Sequence, residues 1–196
     1  MRRAQAPASA TAIAHKMAGS RAFARRLGLM TAAVMALLAA AAFLKAWQLF
    51  AIVPVQVASE ALQSADQPEK PDLARLLAVL RAADRQFERM PFDAEDTAQL
   101  AYVHMMAGMQ QGTWSAGGKR HLARAETLYR HSLARSPANT FAWSRLAHTL
   151  TLLGQPAEQA IPAWEKSIET APHEPKLLLW RSEFGLASLA FLQERH

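Results

Sequence analysis

The chain has no cysteine among its 196 residues, which excludes disulfides, zinc–thiolate and iron–sulfur ligation, and thiol catalysis. The lack does not identify a compartment, because an oxidising space permits disulfides without requiring them. Acidic residues are missing from the first 59 positions. Glu60 is the first carboxylate, and seven basic residues precede it: Arg2, Arg3, Lys16, Arg21, Arg25, Arg26 and Lys45. From Glu60 onward 15 basic residues meet 16 acidic ones, a net of −1. The sequence pI of about 10.2 therefore belongs to the N-terminal segment. A nucleic-acid footprint needs a basic face on the folded part, so no nucleic-acid partner is expected. Aromatics make up only 8% of a chain that is 51% hydrophobic, and 42 alanines carry much of the difference. Sustained strand alternation is also missing, which leaves an all-α class.

What is present begins with a long apolar run. Leu27 to Phe50 reads LGLMTAAVMALLAAAAFLKAWQLF, with Lys45 as its one charge. As a helix it spans roughly 36 Å, enough for a hydrocarbon core of about 30 Å. Lys45 is near the end, where its stem can carry the ammonium to the interface, and Trp47 suits the same belt. The spacing predicts a transmembrane helix over 27–53, preceded by a basic cytoplasmic tail over 1–26. Six positive charges precede the segment and none follows until Lys70. The positive-inside bias thus predicts one pass with the N-terminus cytoplasmic and the C-terminal domain on the far side; the richness in alanine and arginine points to a bacterium, hence to the inner membrane and a periplasmic domain. A cleaved signal peptide is the rival reading, with Ala39–Ala42 as the small residues. Against it stands the apolar run through Phe43, Leu44 and Trp47.

Pro54, Pro68 and Pro71 predict a linker over 54–71, with a short helix possible at Val55–Ser64. From Asp72, an N-cap candidate, Leu73, Leu76, Leu77, Leu80, Ala83 and Phe87 form one apolar stripe at helical spacing, which Pro91 ends. Asp93, Glu95 and Asp96 open a second helix that runs to about Met109. Gln110–Lys119 reads as a glycine-containing loop. Its Trp114 is either tucked into the core or displayed to a partner.

An internal repeat follows. AETLYRHSLARSP (125–137) aligns with AIPAWEKSIETAP (160–172) at an offset of 35. Ala125 meets Ala160, Tyr129 meets Trp164, Ser132 meets Ser167, and Pro137 meets Pro172. Small residues admit a neighbouring helix, and prolines stop each segment. With Trp143, Leu146 and Gly154 in the preceding helix and turn, these positions resemble the tetratricopeptide repeat. The order is tryptophan, leucine, glycine, then alanine, aromatic, small residue and proline. Gln155-Pro156 adds one residue to the turn, and Ala147 stands where glycine is usual. The resemblance implies a short α-hairpin solenoid over 72–196 whose inner face comes from first helices: Phe141, Ser144, Arg145, His148, Thr151 and Leu152. These six either hold a partner or only touch neighbouring helices. Lys176–Gln193 looks like a terminal helix, either buried by the 72–89 helix or offering its apolar surface to a partner.

No chemistry-bearing pattern competes. The seven histidines make no i, i+4 pair, and no HExxH, GxSxG, SxxK or phosphate loop occurs. His104-Met105-Met106 would suit Cu(I), but methionines at helical spacing are core fillers far more often. Catalytic residues, metal and cofactors are therefore all expected to be none. The expected function is a non-catalytic, membrane-anchored adaptor that binds proteins in a cell-envelope assembly, for which exopolysaccharide biosynthesis or export is a loose resemblance. A helper of protein translocation or cytochrome maturation with unfolded clients is the alternative.

Overall fold

The computed structural model describes the backbone of residues 8–63 and 72–189, with the side chains of 29–47, 50, 52–63 and 72–189. Every regular element among them is helical: α1 (Ala8–Gln63), α2 (Leu73–Arg89), α3 (Ala94–Gln110), α4 (Ala116–Arg135), α5 (Thr140–Leu152), α6 (Ala157–Thr170) and α7 (Pro175–Ala187). The chain divides into two compact units, Met1–Trp47 and Gln48–His196.

The first unit is helical from Ala8, earlier than the tail reading expected. Alanine is the best helix former, and nine alanines lie from Ala8 to Ala33 before the run continues. From Leu29 the side chains are exposed, including Leu37, Phe43 and Trp47. The apolar stretch is long enough to cross a membrane, with none of its 18-residue window buried in protein. Phe43 and Trp47 stack on one side of it, 6.5 Å apart.

The second unit begins inside the same helix. A linker was expected from Pro54, yet α1 runs through Pro54 to Gln63. Proline in a helix interior removes one backbone hydrogen bond and costs about 3 kcal/mol. Tertiary burial offsets this, because Ile52, Val55 and Ser59 are buried around it. Gln56 Nε2 also donates to Asp96 Oδ1 at 2.9 Å, fixing this end of α1 to the start of α3. The remainder of the linker, 64–71, falls outside the described residues, as does the tail before Ala8.

Helices α2 to α7 then pack together, for the most part with their neighbours in the chain. The α3–α4 and α5–α6 pairs pack most extensively, α4 joins α5, α2 lies on α3, and α7 lies on α5. Asp93 Oδ1, Ser115 Oγ and Asn139 Oδ1 each accept a hydrogen bond from a backbone N–H in the first turn of α3, α4 and α5. Asp72 makes no such bond at α2.

The stretch expected as a ten-residue loop is shorter. Only residues 111–115 separate α3 from α4, because Ser115 caps a helix that starts at Ala116. Glycine makes this joint possible. Gly112 has φ +87°, and a Cβ on Gly118 would stand 2.0 Å from the Gly112 carbonyl oxygen. Gly154, at φ +70°, turns α5 into α6.

The aligned repeat residues agree in part: Tyr129 is fully buried and Trp164 only half-buried. Tyr129 and Trp164 each lie six residues before the last residue of their helix. Ala125, Ser132, Ala160 and Ser167 are buried at 2% exposure or less. Ser132 Oγ reaches the Ala94 carbonyl at 2.6 Å, so α4 closes on the start of α3. Thr140 Oγ1 reaches the Ser167 carbonyl at 2.7 Å, so α6 closes on the start of α5. Trp143 and Trp164 are partly buried against the core, and Leu146 lies within it.

Candidate functional site

The main concavity of the second unit is a groove of about 880 Å³ whose walls come from α3, α5, the start of α7 and the last residues of α1. Its floor is set by spacing on α3. Glu95, Ala98, Gln99 and Tyr102 fall on one helical face and all line it. Opposite them stand Asn139, Thr140, Phe141 and Arg145 from the start of α5, with Lys176 and Leu177 from α7.

The polar groups here are arranged rather than scattered. The Glu95 carboxylate accepts from Gln99 Nε2 at 3.1 Å on one oxygen and from Asn139 Nδ2 at 3.0 Å on the other. That joins α3 to the loop before α5. The Arg145 guanidinium lies 4.1 Å from the centre of the Tyr102 ring, a cation–π stack that holds its charge at the groove wall. Burial raises the Tyr102 hydroxyl above its ordinary pKa, and Arg145 opposes that rise. Two buried acceptors lack partners among the described residues: Gln99 Oε1 and the Tyr129 hydroxyl. Gln99 lines the groove, while its Oε1 faces protein rather than solvent.

Arg181 positions the α7 wall. It is 4% exposed, and its donors fan over the end of α6. Nη1 reaches the Ala171 carbonyl at 2.8 Å, Nε reaches Ser167 Oγ at 3.2 Å, and Nη2 reaches Thr140 Oγ1 at 2.7 Å and also the Ser167 carbonyl. A cation at a helix C-terminus is favourable because the last carbonyls carry partial negative charge. Burial lowers the Arg181 pKa, and Glu174 opposes this. Trp164 Nε1 donates to the Arg181 carbonyl at 3.1 Å, and its ring meets Phe184 at 5.7 Å. One side chain thus ties the start of α5, the end of α6 and α7 together, and so fixes where Lys176 stands.

The six residues of the expected partner face divide. Phe141 and Arg145 line the groove. Ser144 is buried at 4% exposure. His148 is turned toward Trp180, with ring centres 5.8 Å apart, and burial lowers its pKa. Thr151 bonds back to the Ala147 carbonyl at 3.0 Å, and Leu152 packs on the core. The helix α5 therefore gives only its first turn and a half to the groove; His148 beyond it meets α7, Leu152 packs on the core and Thr151 is exposed. Sequence reasoning missed Glu95, Gln99, Tyr102, Asn139 and Lys176. The i, i+4, i+7 spacing of Glu95, Gln99 and Tyr102 was a readable signal, while Lys176 was not, since α7 had no assigned place.

Two open questions about apolar surface are answered. Trp114 is displayed, at 77% exposure, with Lys119 Nζ 5.6 Å from its ring. The helix α7 packs on α5 with Leu177, Trp180 and Phe184, while Leu178, Leu179 and Leu186 face outward. Phe191 and the rest of 190–193 fall outside the described residues. No protein-family model, curated protein or solved structure matches the chain.

Proposed function

We propose that this protein is a membrane-anchored, non-catalytic adaptor whose helical-hairpin domain docks an extended or amphipathic segment of a protein partner. The observation that carries the reading is the α3–α5–α7 groove. Three alternate helices, each the first of its hairpin or the terminal one, contribute to a single concavity. It has a stacked cation at Arg145, a second cation at Lys176 and the paired polar groups of Glu95, Gln99 and Asn139. Backbone amides and polar side chains of an extended segment satisfy such a lining. The matching placement of Tyr129 with Trp164 and of Ser132 with Ser167 supports a tetratricopeptide-like solenoid.

The apolar stretch of α1 tethers this domain to a membrane and raises its effective concentration near integral partners. The charge asymmetry around the stretch supports a cytoplasmic N-terminus and a periplasmic domain in the bacterial inner membrane. The cell-envelope assembly we favour is exopolysaccharide biosynthesis or export.

Affinity capture of the full chain from detergent extracts tests the binding reading. The native chain should retain envelope glycosyltransferases or exporters, and Arg145→Glu combined with Phe141→Asp should lose them. Retention of the same proteins by the double variant would refute the groove as the site. Recovery of translocon or cytochrome-maturation subunits instead would redirect the pathway.

A further inference from the structure

We propose that the adjoining faces of α2 and α4 form a basic ridge that docks on anionic lipid headgroups. The net charge of −1 from Glu60 onward averages two unlike parts. The helices α2 and α4 hold nine basic residues and three acids, while the rest of that stretch holds six basic residues and thirteen acids. Packing brings the two basic helices side by side. Arg124 of α4 reaches Asp84 of α2 with Nε and Nη2, each 2.9 Å from Oδ1. The Phe87 ring of α2 meets His131 of α4, with centres 5.4 Å apart.

Helical spacing then sets which charges share the surface. Arg81, Arg85 and Arg89 recur every fourth residue on α2, and all three are exposed. Arg120 stands one turn before Arg124 on α4 and is exposed too. Of the three acids, Asp84 is held by Arg124 and Glu126 by Arg130, which leaves Glu88. Arg81, Arg85, Arg89 and Arg120 have no carboxylate within ion-pair distance among the described residues. Like charges one turn apart destabilise a helix, so an anionic surface laid against this ridge stabilises it.

Lipid is the occupant that this chemistry fits. Ala74, Ala78 and Ala82 lie between the arginines of α2, so its ridge has no amide or hydroxyl with which to read base edges. Phe87 is covered by Arg124, 5.6 Å from its ring, and by His131, so it offers no face to stack an unpaired base. A headgroup layer asks only for charge, and each Lys or Arg beside it multiplies the bound population by about fivefold. The apolar stretch of α1 tethers the ridge to a membrane, which raises the effective concentration of headgroups. The proposal rests on that anchoring and not on the groove.

Spin labels on the full chain in lipid nanodiscs test this, since a chain with no cysteine accepts them singly. Ala82→Cys reports the ridge, Glu158→Cys on α6 is the control, and Leu37→Cys reports the apolar stretch. In discs of phosphatidylcholine, position 82 should be open to a water-soluble nickel relaxant. Discs with about a third phosphatidylglycerol should shield it, and about 0.5 M salt should open it again. Arg81→Glu, Arg85→Glu and Arg89→Glu together should shift the bound population down by about a hundredfold or more and remove the shielding. Arg81→Lys, Arg85→Lys and Arg89→Lys together should keep it, and position 158 should stay open throughout. Equal access at 82 in both kinds of disc, or shielding that survives the glutamate variant, would overturn the proposal. Shielding of 82 by duplex DNA in neutral discs, without shielding by anionic lipid, would overturn it in favour of nucleic acid. A label at 37 that stays in water would refute the anchor and the docking with it, whereas 37 in lipid with 82 open in both discs refutes the docking alone.

Discussion

At the scale of single residues, the tightest constraint is at the α3–α4 joint. Gly118→Ala would drive a Cβ to within 2.0 Å of the Gly112 carbonyl oxygen, whereas Gly117→Ala meets only the movable end of Gln111. Overpacking against backbone costs about 1–3 kcal/mol. Gly118→Ala should therefore lower the Tm by several degrees, and Gly117→Ala should leave it close to native; thermal melts followed by circular dichroism check both. His148 gives a pH dependence with a definite sign. Burial lowers its pKa in the folded state, so below 6.5 the unfolded chain binds more protons than the native one. Stability should be full above 6.5 and fall as the pH drops through the imidazole range. His148→Gln should flatten part of that slope in denaturant titrations at stepped pH. The sequence showed that Gly154 sits in a turn and that Ser132 and Ser167 are small. It did not show Gly118 as a contact, because the residue it meets is set by how closely two helices approach.

At the scale of elements, the helix ends marked by proline were legible and the other boundaries were less so. Helices stopped by prolines at a fixed offset leave a mark in sequence, and Pro137 and Pro172 lie just past the ends of α4 and α6. The continuation of α1 past Pro54 left no such mark. Locally a proline reads as a breaker, and only the burial of Ile52 and Val55 on the rest of the second unit overrides it. Pro54→Ala should restore a helix-interior hydrogen bond and raise stability by up to about 3 kcal/mol, measured by chemical denaturation in micelles. A neutral effect would mean that the helix is interrupted there. Ser167→Trp tests the packing of α5, α6 and α7 on one another. Ser167 has no exposed surface, and its hydroxyl accepts from Arg181, so the larger ring should abolish the cooperative melt. An unchanged melt would refute the close-packed assignment of this position.

At the scale of the whole molecule, the proposed docking site is a groove that no single segment encodes. Glu95 and Gln99 come from α3, Arg145 from α5 and Lys176 from α7, and Arg181 sets the last of these in place through the end of α6. A reading of α5 alone found Phe141 and Arg145 and then continued along the helix to His148, which meets α7, and to Thr151 and Leu152, which lie outside the groove. The topology proposal has its own check. A reporter that is active only outside the cytoplasm, fused after His196, should be active, and cytoplasmic activity would reverse the orientation. The docking claim is tested most directly by a photo-crosslinking side chain placed in the groove at Gln99 in native membranes, with Thr127 on the exposed side of α4 as its control. The account predicts a discrete protein adduct from position 99 that Arg145→Glu removes and position 127 does not give. Equal adducts from both positions, or an adduct from 99 that survives Arg145→Glu, would contradict it.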